Sequence, residues 1–546
     1  MATALAVAAP GSIAGVAVAD TLPVPTASPT SATGSTAEWT TRILAPGVEV
    51  RTGTLRNAAA SPRWTVNVQA PVEARFTGAP AWAPVGTESW ALETADTLRT
   101  AGFTPTVRPI PWPDYSDTPG GLMGVRVRIG AYVKRSTANS IAARVTEAGF
   151  RTAVDWTGYD ADQLADLQNV HVAVIDPHTF SGSITATHEG NVTDRRQTSS
   201  VAAKLGSLVG VNGGFFITSD ADGVQGVPAG ISAYDGELAS MAVGSRTALI
   251  LADGGRHNRI ADLTTTVTAR AGRSSYDVQG INRTPGLVRD CGRPGGQPTA
   301  EPRQDVTCTE ADDLVGFTSE YVHELPTGPG VQVVLNSRNR VVSTGSRGGA
   351  VPPGHTVLQG TGLAADWLTS HAEVGRKVSV RKVIRDTDGH RVRLGADDSI
   401  VSAAPTLVKD GRIHIDAAAE GVVDPADLSF GYTWANKRQP RTMAGLDQQG
   451  RLLLVTVDGR LSGGSEGFTL TEGAAFMQSL GAVQAMSLDG GGSTAMAVDG
   501  ALVNRPSDAT GERPVGDTVQ VLPALPVATG PRSSSPKVPL ESGIAE

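Results

Sequence analysis

The chain has 546 residues, room for several domains of the usual size of about 150 residues. Its charged fraction of 18% and net charge of −8 exclude the broad basic face expected of a nucleic-acid-binding protein. No apolar run is long enough to span a bilayer, and 64 glycines beside two cysteines point to a strand-rich, loop-rich protein with a single pair of thiols.

Residues 4–19 are a weakly apolar run with Ala17-Val-Ala19 before Asp20, so 1–19 read as a signal-like leader, although the first basic residue is Arg42. Such a leader implies a secreted or cell-wall-associated protein. Residues 20–60, opening with Pro, Thr and Ser, read as a linker. Between 61 and 158 lies an internal repeat. Two helical stretches, within 87–107 and 136–154, end in Arg99-Thr-Ala-Gly102-Phe and Thr146-Glu-Ala-Gly149-Phe, each glycine placed just past the helix. Ser136 is placed to cap the second helix, with Ile141, Val145 and Ala148 on one face. Strands are expected at 65–69, 104–108, 125–129 and 152–156, giving the order β-α-β-β-α-β.

A large domain is expected over 168–523, with 169–175 as its first strand and 199–205 as a short helix. Leu208-Val-Gly-Val-Asn212-Gly-Gly-Phe-Phe216 sets an Asn and two glycines after an apolar run. Cys291 and Cys308 flank a stretch crowded with Gly, Pro, Arg and Gln and are expected to pair, which in an exported protein would stabilise by about 3 kcal/mol. Two cysteines, with no His pair at metal spacing, do not make a zinc site. Pro440-Arg441-Thr442 precedes a strand over 452–457 that runs into Asp458-Gly459. Thr469 with Glu472 forms a capping box for a helix to Leu480, whose Ala475, Met477 and Leu480 read as core. The tail, 524–546, is Pro/Ser-rich and reads as disordered.

The most informative stretch is Leu488-Asp-Gly-Gly-Gly-Ser-Thr494, followed by Asn504-Arg-Pro-Ser507 and Glu512-Arg-Pro514. Apolar runs at 485–488 and 495–498 make the triplet a strand-to-strand connection, and it lacks the Gly-Lys-Ser/Thr ending of a nucleotide phosphate loop. Three glycines let backbone approach a ligand closely and present N–H donors beside a carboxylate.

These motifs, with Asn212-Gly-Gly-Phe-Phe216, Pro440-Arg-Thr442 and Val455-Thr-Val-Asp-Gly459, resemble in type and order the phosphodiester glycosidase domain, the family of the uncovering enzyme that removes N-acetylglucosamine from phosphomannosyl groups. The resemblance implies hydrolysis of the glycosidic C–O bond of a sugar-1-phosphodiester. There the leaving group is a phosphate monoester, a weak base, so the chemistry calls for charge handling more than acid catalysis. Arg441, Arg505 and Arg513 suit phosphate oxygens, with Gly490, Gly491, Gly492, Ser493 and Thr494 adding donors and Asn212, Gly213 and Gly214 completing the substrate-binding set. Asp489, Asp458 and Glu512 are the catalytic candidates on the sugar side. Asp-Gly after a strand is equally an ordinary turn for Asp458, and Glu512 could equally pair with Arg505 or Arg513. The roles of nucleophile, base and acid stay open.

Val125-Arg-Val-Arg-Ile-Gly-Ala-Tyr132 and the helix after it resemble the sporulation-related repeat (SPOR) domain, whose members bind peptidoglycan. The fold expectation is therefore α+β: an N-terminal ferredoxin-like βαββαβ module followed by a large mixed-sheet α+β catalytic domain. The functional expectation is an envelope or extracellular hydrolase on a phosphosugar or glycan, with peptidoglycan as a partner of the module. No cofactor is assigned, and a divalent metal is left open. The alternative is a noncatalytic glycan- or peptidoglycan-binding envelope protein.

Overall fold

The computed structural model describes residues 35–72 and 81–524. The leader expected at 1–19 and all but the first residue of the tail expected at 524–546 lie outside them. Six α-helices occur among the described residues: α1 Glu88–Thr100, α2 Arg135–Glu147, α3 Thr198–Leu205, α4 Gly362–His371, α5 Leu428–Ala435 and α6 Leu470–Ser479. The rest is mostly strand.

One of two eight-stranded sheets among the described residues is antiparallel throughout, in the order Ser35–Ala45, Val48–Asn57, Leu167–Ile175, Leu452–Val457, Arg441–Asp447, Ala482–Ser487, Thr406–Lys409, Arg412–Ile413. Its centre is written as a continuous apolar run. Leu-Leu-Leu-Val-Thr-Val over Leu452–Val457 is buried at every position, the mark of a strand covered on both faces. Each such aliphatic side chain contributes roughly 1.5–3 kcal/mol by leaving water. One cover is α6, which starts at the capping box expected from the sequence: Thr469 accepts from the Glu472 N–H and the Glu472 side chain accepts from the Thr469 N–H. The helix sits close because Gly445 has no side chain; a Cβ there would meet Met477 at 2.5 Å.

The second half of the segment read as linker over 20–60 is instead a hairpin, and Val48–Asn57 pairs along Leu167–Ile175. The strand expected to begin the large domain is therefore the third of its sheet. Val48 and Val50 face the core, a pairing signal too short to stand out beside the Pro, Thr and Ser that precede it.

Four strands between Trp64 and Trp156 form an antiparallel sheet in the order Pro105–Pro111, Leu122–Tyr132, Trp64–Val68, Thr152–Trp156, crossed by α1 and α2. Thr87 caps α1 by accepting from the Trp90 N–H. Ser136 does not cap α2, which starts at Arg135 after Lys134 with no capping side chain. Along Leu122–Tyr132 the side chains alternate: Val125, Val127 and Ile129 join Ala91, Leu98, Ala138 and Val145 in the module's core, while Arg126 and Arg128 face the large domain. There Arg126 donates to the Tyr432 hydroxyl at 2.9 Å, Arg128 pairs with Asp160, and Tyr432 donates to Asp160 at 3.1 Å. Helices cover one face of this sheet and α5 the other.

Candidate active site

The triplet connection joins two sheets. It leaves the large sheet at the end of Ala482–Ser487 and enters a five-stranded sheet at Met496–Val498, whose neighbour is Val209–Asn212. Asn212 lies at that junction and is fully buried. Its side-chain oxygen accepts from the Thr442 hydroxyl at 2.6 Å and the Ala495 N–H at 3.1 Å, and its amide donates to the Asp489 carbonyl at 2.7 Å. Three of the motifs picked from the sequence thus meet on one side chain. Gly213 and Gly214 serve the same junction: a Cβ at either would lie 2.3 Å from another group, the Asp517 carboxylate or the Ser402 carbonyl. These three residues hold the loop; they do not line the cleft beside it.

That cleft, about 250 Å³ in volume, is lined by Asp489, the three glycines, Arg460, Arg513, Trp434, Phe215 and Phe216, and opposite them by Arg289, Asp290, Gln304 and Asp305. Asp489 keeps part of its surface open to the cleft, yet the crowding around it is enough to push its carboxyl up to about 7. Ser493, Arg513 and the Gly490 N–H, which donates to its carboxylate at 2.9 Å, pull the other way. The Gly491 N–H donates to the Pro440 carbonyl at 2.9 Å. Two of the three triplet amides are therefore committed inside the protein, and the cations beside them carry the positive potential.

Arg513 forks onto Asp508 through two bonds of 2.8 and 3.1 Å, and a Cβ on Gly492 would meet its guanidinium at 2.1 Å. Arg460, from the turn after Leu452–Val457, donates to Gln439 at 2.7 Å and would lie 3.2 Å from a Cβ on Gly491. Burial and the like charge of Arg513 both lower its affinity for a proton. Asp508 and Asp489 offset part of this charge, and the glycines are what let the two guanidiniums stand over the loop.

The remaining candidates sit elsewhere. Asp458 is 3% exposed behind the loop, accepts from the Arg505 N–H at 2.8 Å, and is pushed up to about 6 by burial. Glu512 accepts from the N–H and hydroxyl of Ser199, capping the first turn of α3. Arg505 is exposed and does not line the cleft. Arg441 is 2% exposed, donates to the Phe468 carbonyl at 3.1 Å, and stacks 5.3 Å from the centre of the Trp434 ring. Burial lowers it to about 10. It supports Trp434 from beneath, while Trp434 itself reaches the cleft. Thr494 is buried within the loop, whose Thr494 carbonyl accepts from Asn504 at 3.0 Å.

The opposite wall is the short pair Leu287–Arg289 and Thr307–Thr309, closed by the Cys291–Cys308 disulfide expected from the sequence. Arg289, Asp290, Asp305, Arg460 and Trp434 went unnoticed in the sequence, because none sits in a motif. The paired cysteines bracketing 291–308 were the one available signal. Among the described residues, Asp386, Asp388 and His390 are a group tight enough to hold a metal, and none of them lines the cleft.

Residues 329–522 match the phosphodiester glycosidase family. The chain is 31% identical over 110 residues to the mouse N-acetylglucosamine-1-phosphodiester alpha-N-acetylglucosaminidase, a match covering 20% of this chain and 21% of the relative. An uncharacterised prophage-derived protein of Bacillus subtilis is 42% identical over 91 residues, 16% of this chain and 14% of that protein. The chain thus spans about a fifth or less of the length of these curated relatives. A candidate exported protein of Burkholderia pseudomallei, of known crystal structure, is 31% identical with a TM-score of 0.77, covering 90% of this chain and 97% of that one; the two belong to one family. The phosphodiester glycosidase match includes Asp489, Arg460 and Arg513 but stops short of the disulfide-closed wall.

Proposed function

We propose that the protein is a hydrolase that cleaves the glycosidic C–O bond of a sugar-1-phosphodiester. The observation that carries this reading is the convergence of Arg460 and Arg513 with Asp489 around the glycine loop in one cleft. Two guanidiniums suit the phosphodiester oxygens, and Trp434, Phe215 and Phe216 offer apolar faces to the sugar ring. Asp489, raised to about 7, holds its proton through the acidic range and can share it with the oxygen leaving the anomeric carbon. Because that oxygen belongs to a phosphate, the proton adds little, and electrostatic binding of the departing charge does most of the work.

The relative described as exported and the leader-like start support a place outside the cytoplasm. For the N-terminal unit we infer a ferredoxin-like arrangement, which its element order and sheet order support. Peptidoglycan binding by this unit draws no support from a sheet covered on both faces.

The test is hydrolysis of a panel of α- and β-linked sugar-1-phosphodiesters in ¹⁸O-labelled water, with Asp489→Asn as control. Label in the sugar hydroxyl is expected. Label in the phosphate would mean P–O cleavage and end this reading, and binding without turnover would favour a noncatalytic glycan-binding protein.

A further inference from the structure

Glycoside hydrolysis by a pair of carboxylates needs a partner for Asp489, and neither Asp458 nor Glu512 reaches the cleft. Three carboxylates do: Asp489, Asp290 and Asp305. Asp290 is 2% exposed and neutralised by Arg246 at 2.6 Å. Asp305 is paired as well, with Arg289 at 2.7 Å, but it is far more open. Its side chain is 61% exposed, so water reaches it, and it stands on the wall facing the glycine loop.

Resting on the reading above, we propose that Asp305 is the second catalytic carboxylate of the cleft, the base that takes the proton of the attacking water.

The wall is built to aim this side chain. Asp305 has φ of +61°, a left-handed backbone that Asp tolerates better than most residues. Its N–H donates to Asp290 at 2.9 Å, and its carboxylate receives Arg289 at 2.7 Å. Asp290 is itself anchored by Arg246, and the disulfide closes the loop that carries Asp305 and begins next to Asp290. Positive φ, an ion pair and a covalent closure together fix one exposed carboxylate.

The electrostatics agree with the geometry. Asp305 is close enough to Asp489 to add to the upward push on it. Although open to water, Asp305 is itself raised by the crowding of the wall and by Asp290, with Arg289 pulling it back. Asp489, pushed up to about 7, holds its proton into the neutral range, while Arg289 draws Asp305 back toward its charged form, the division of labour an acid and a base require.

In the proposed step the oxygen of water attacks the anomeric carbon from the Asp305 side, and Asp305 accepts its proton. The bond from that carbon to the phosphate oxygen breaks, its electron pair leaving on a phosphate monoester held by Arg460 and Arg513 and protonated by Asp489. The products are a free sugar of inverted configuration and the monoester. The proton returns from Asp305 to Asp489 through solvent.

The experiment compares the wild type with Asp305→Asn and Asp305→Glu on whichever phosphodiester of the panel the wild type hydrolyses. The anomer first released is read by proton NMR, and kcat, KM, the pH profile and thermal melting are measured in parallel. Asparagine still accepts from Arg289, so Asp305→Asn is expected to melt with the wild type and keep KM within about threefold. Its kcat is expected to fall by about 10²- to 10⁴-fold, with the acid limb of the profile gone. Asp305→Glu is expected to recover part of kcat and the limb, with the inverted anomer released first. A retained anomer, or wild-type kcat in Asp305→Asn, overturns the assignment while leaving the hydrolase reading intact. A wild type inactive on every phosphodiester overturns both.

Discussion

Asp489 is where the chemistry and the stability of this protein pull against each other. Its carboxyl is raised from 3.8 to about 7 by burial, so the folded state favours the neutral form. The stability this lends is complete below about pH 4 and is lost as pH rises through about 7. Asp458, near 6, and Glu420, near 7, add in the same direction. Asp489→Asn is therefore expected to melt higher than the wild type at pH 8 and close to it at pH 4, by scanning calorimetry at both values. The same substitution should lower kcat by about 10²-fold, the low end for acid catalysis because the leaving group is already a weak base, and should erase the alkaline limb near pH 7. Arg513→Lys tests the clamp: a single ammonium cannot hold Asp508 and two phosphate oxygens as a fork does, so KM is expected to rise about tenfold or more with a smaller change in kcat.

The disulfide-closed wall and α6 make distinct predictions at the level of elements. Cys291 and Cys308 enclose a loop with a sequence separation of 17, so replacing both by Ser should cost about 3 kcal/mol by denaturant titration. A second consequence is functional: a loosened wall no longer holds Asp305, and kcat should fall further than stability alone explains. Thr469→Ala removes the capping box of α6 and is expected to cost about 1 kcal/mol without touching KM, because no residue of α6 lines the cleft. Much at this scale was legible in advance. The capping box, the strand at Leu452–Val457, both module helices and the cysteine pair each rest on a local rule in contiguous residues. Ser136 shows the limit of such rules: the helix already begins at Arg135, so Ser136 lies inside its first turn and not at its cap.

Across the whole molecule, the N-terminal unit is clamped to the large domain by buried charge. Asp160, 1% exposed, meets Arg126, Arg128 and Tyr432, and the arginines hold its carboxyl well below the usual range despite burial. Asp160→Ala would leave the buried Arg128 without its carboxylate, while Arg126 keeps Asp162 at 3.0 Å, and is expected to cost about 3–5 kcal/mol, measured by denaturant titration. Because Tyr432 and Trp434 share α5, the same change should disturb the cleft and raise KM. The unit is thus a support for α5, with its sheet face spent on that contact.

The sequence by itself determined the local elements, the disulfide and the family-bearing motifs, because each is written in neighbouring residues whose periodicity, caps or spacing carry the physics. It also brought Asp489, Arg513 and the glycine loop to notice. Which motif residues face the cleft was decided only by tertiary structure. Asn212, Arg441, Asp458 and Glu512 have site-like chemistry yet spend it on holding the loop, a ring, a backbone N–H and a helix end. Arg460, Trp434 and Asp305 have no motif around them and acquire a role only because strands far apart in the chain fold their turns toward one point. Direction in space is a property of the packed sheets, and no run of residues records it.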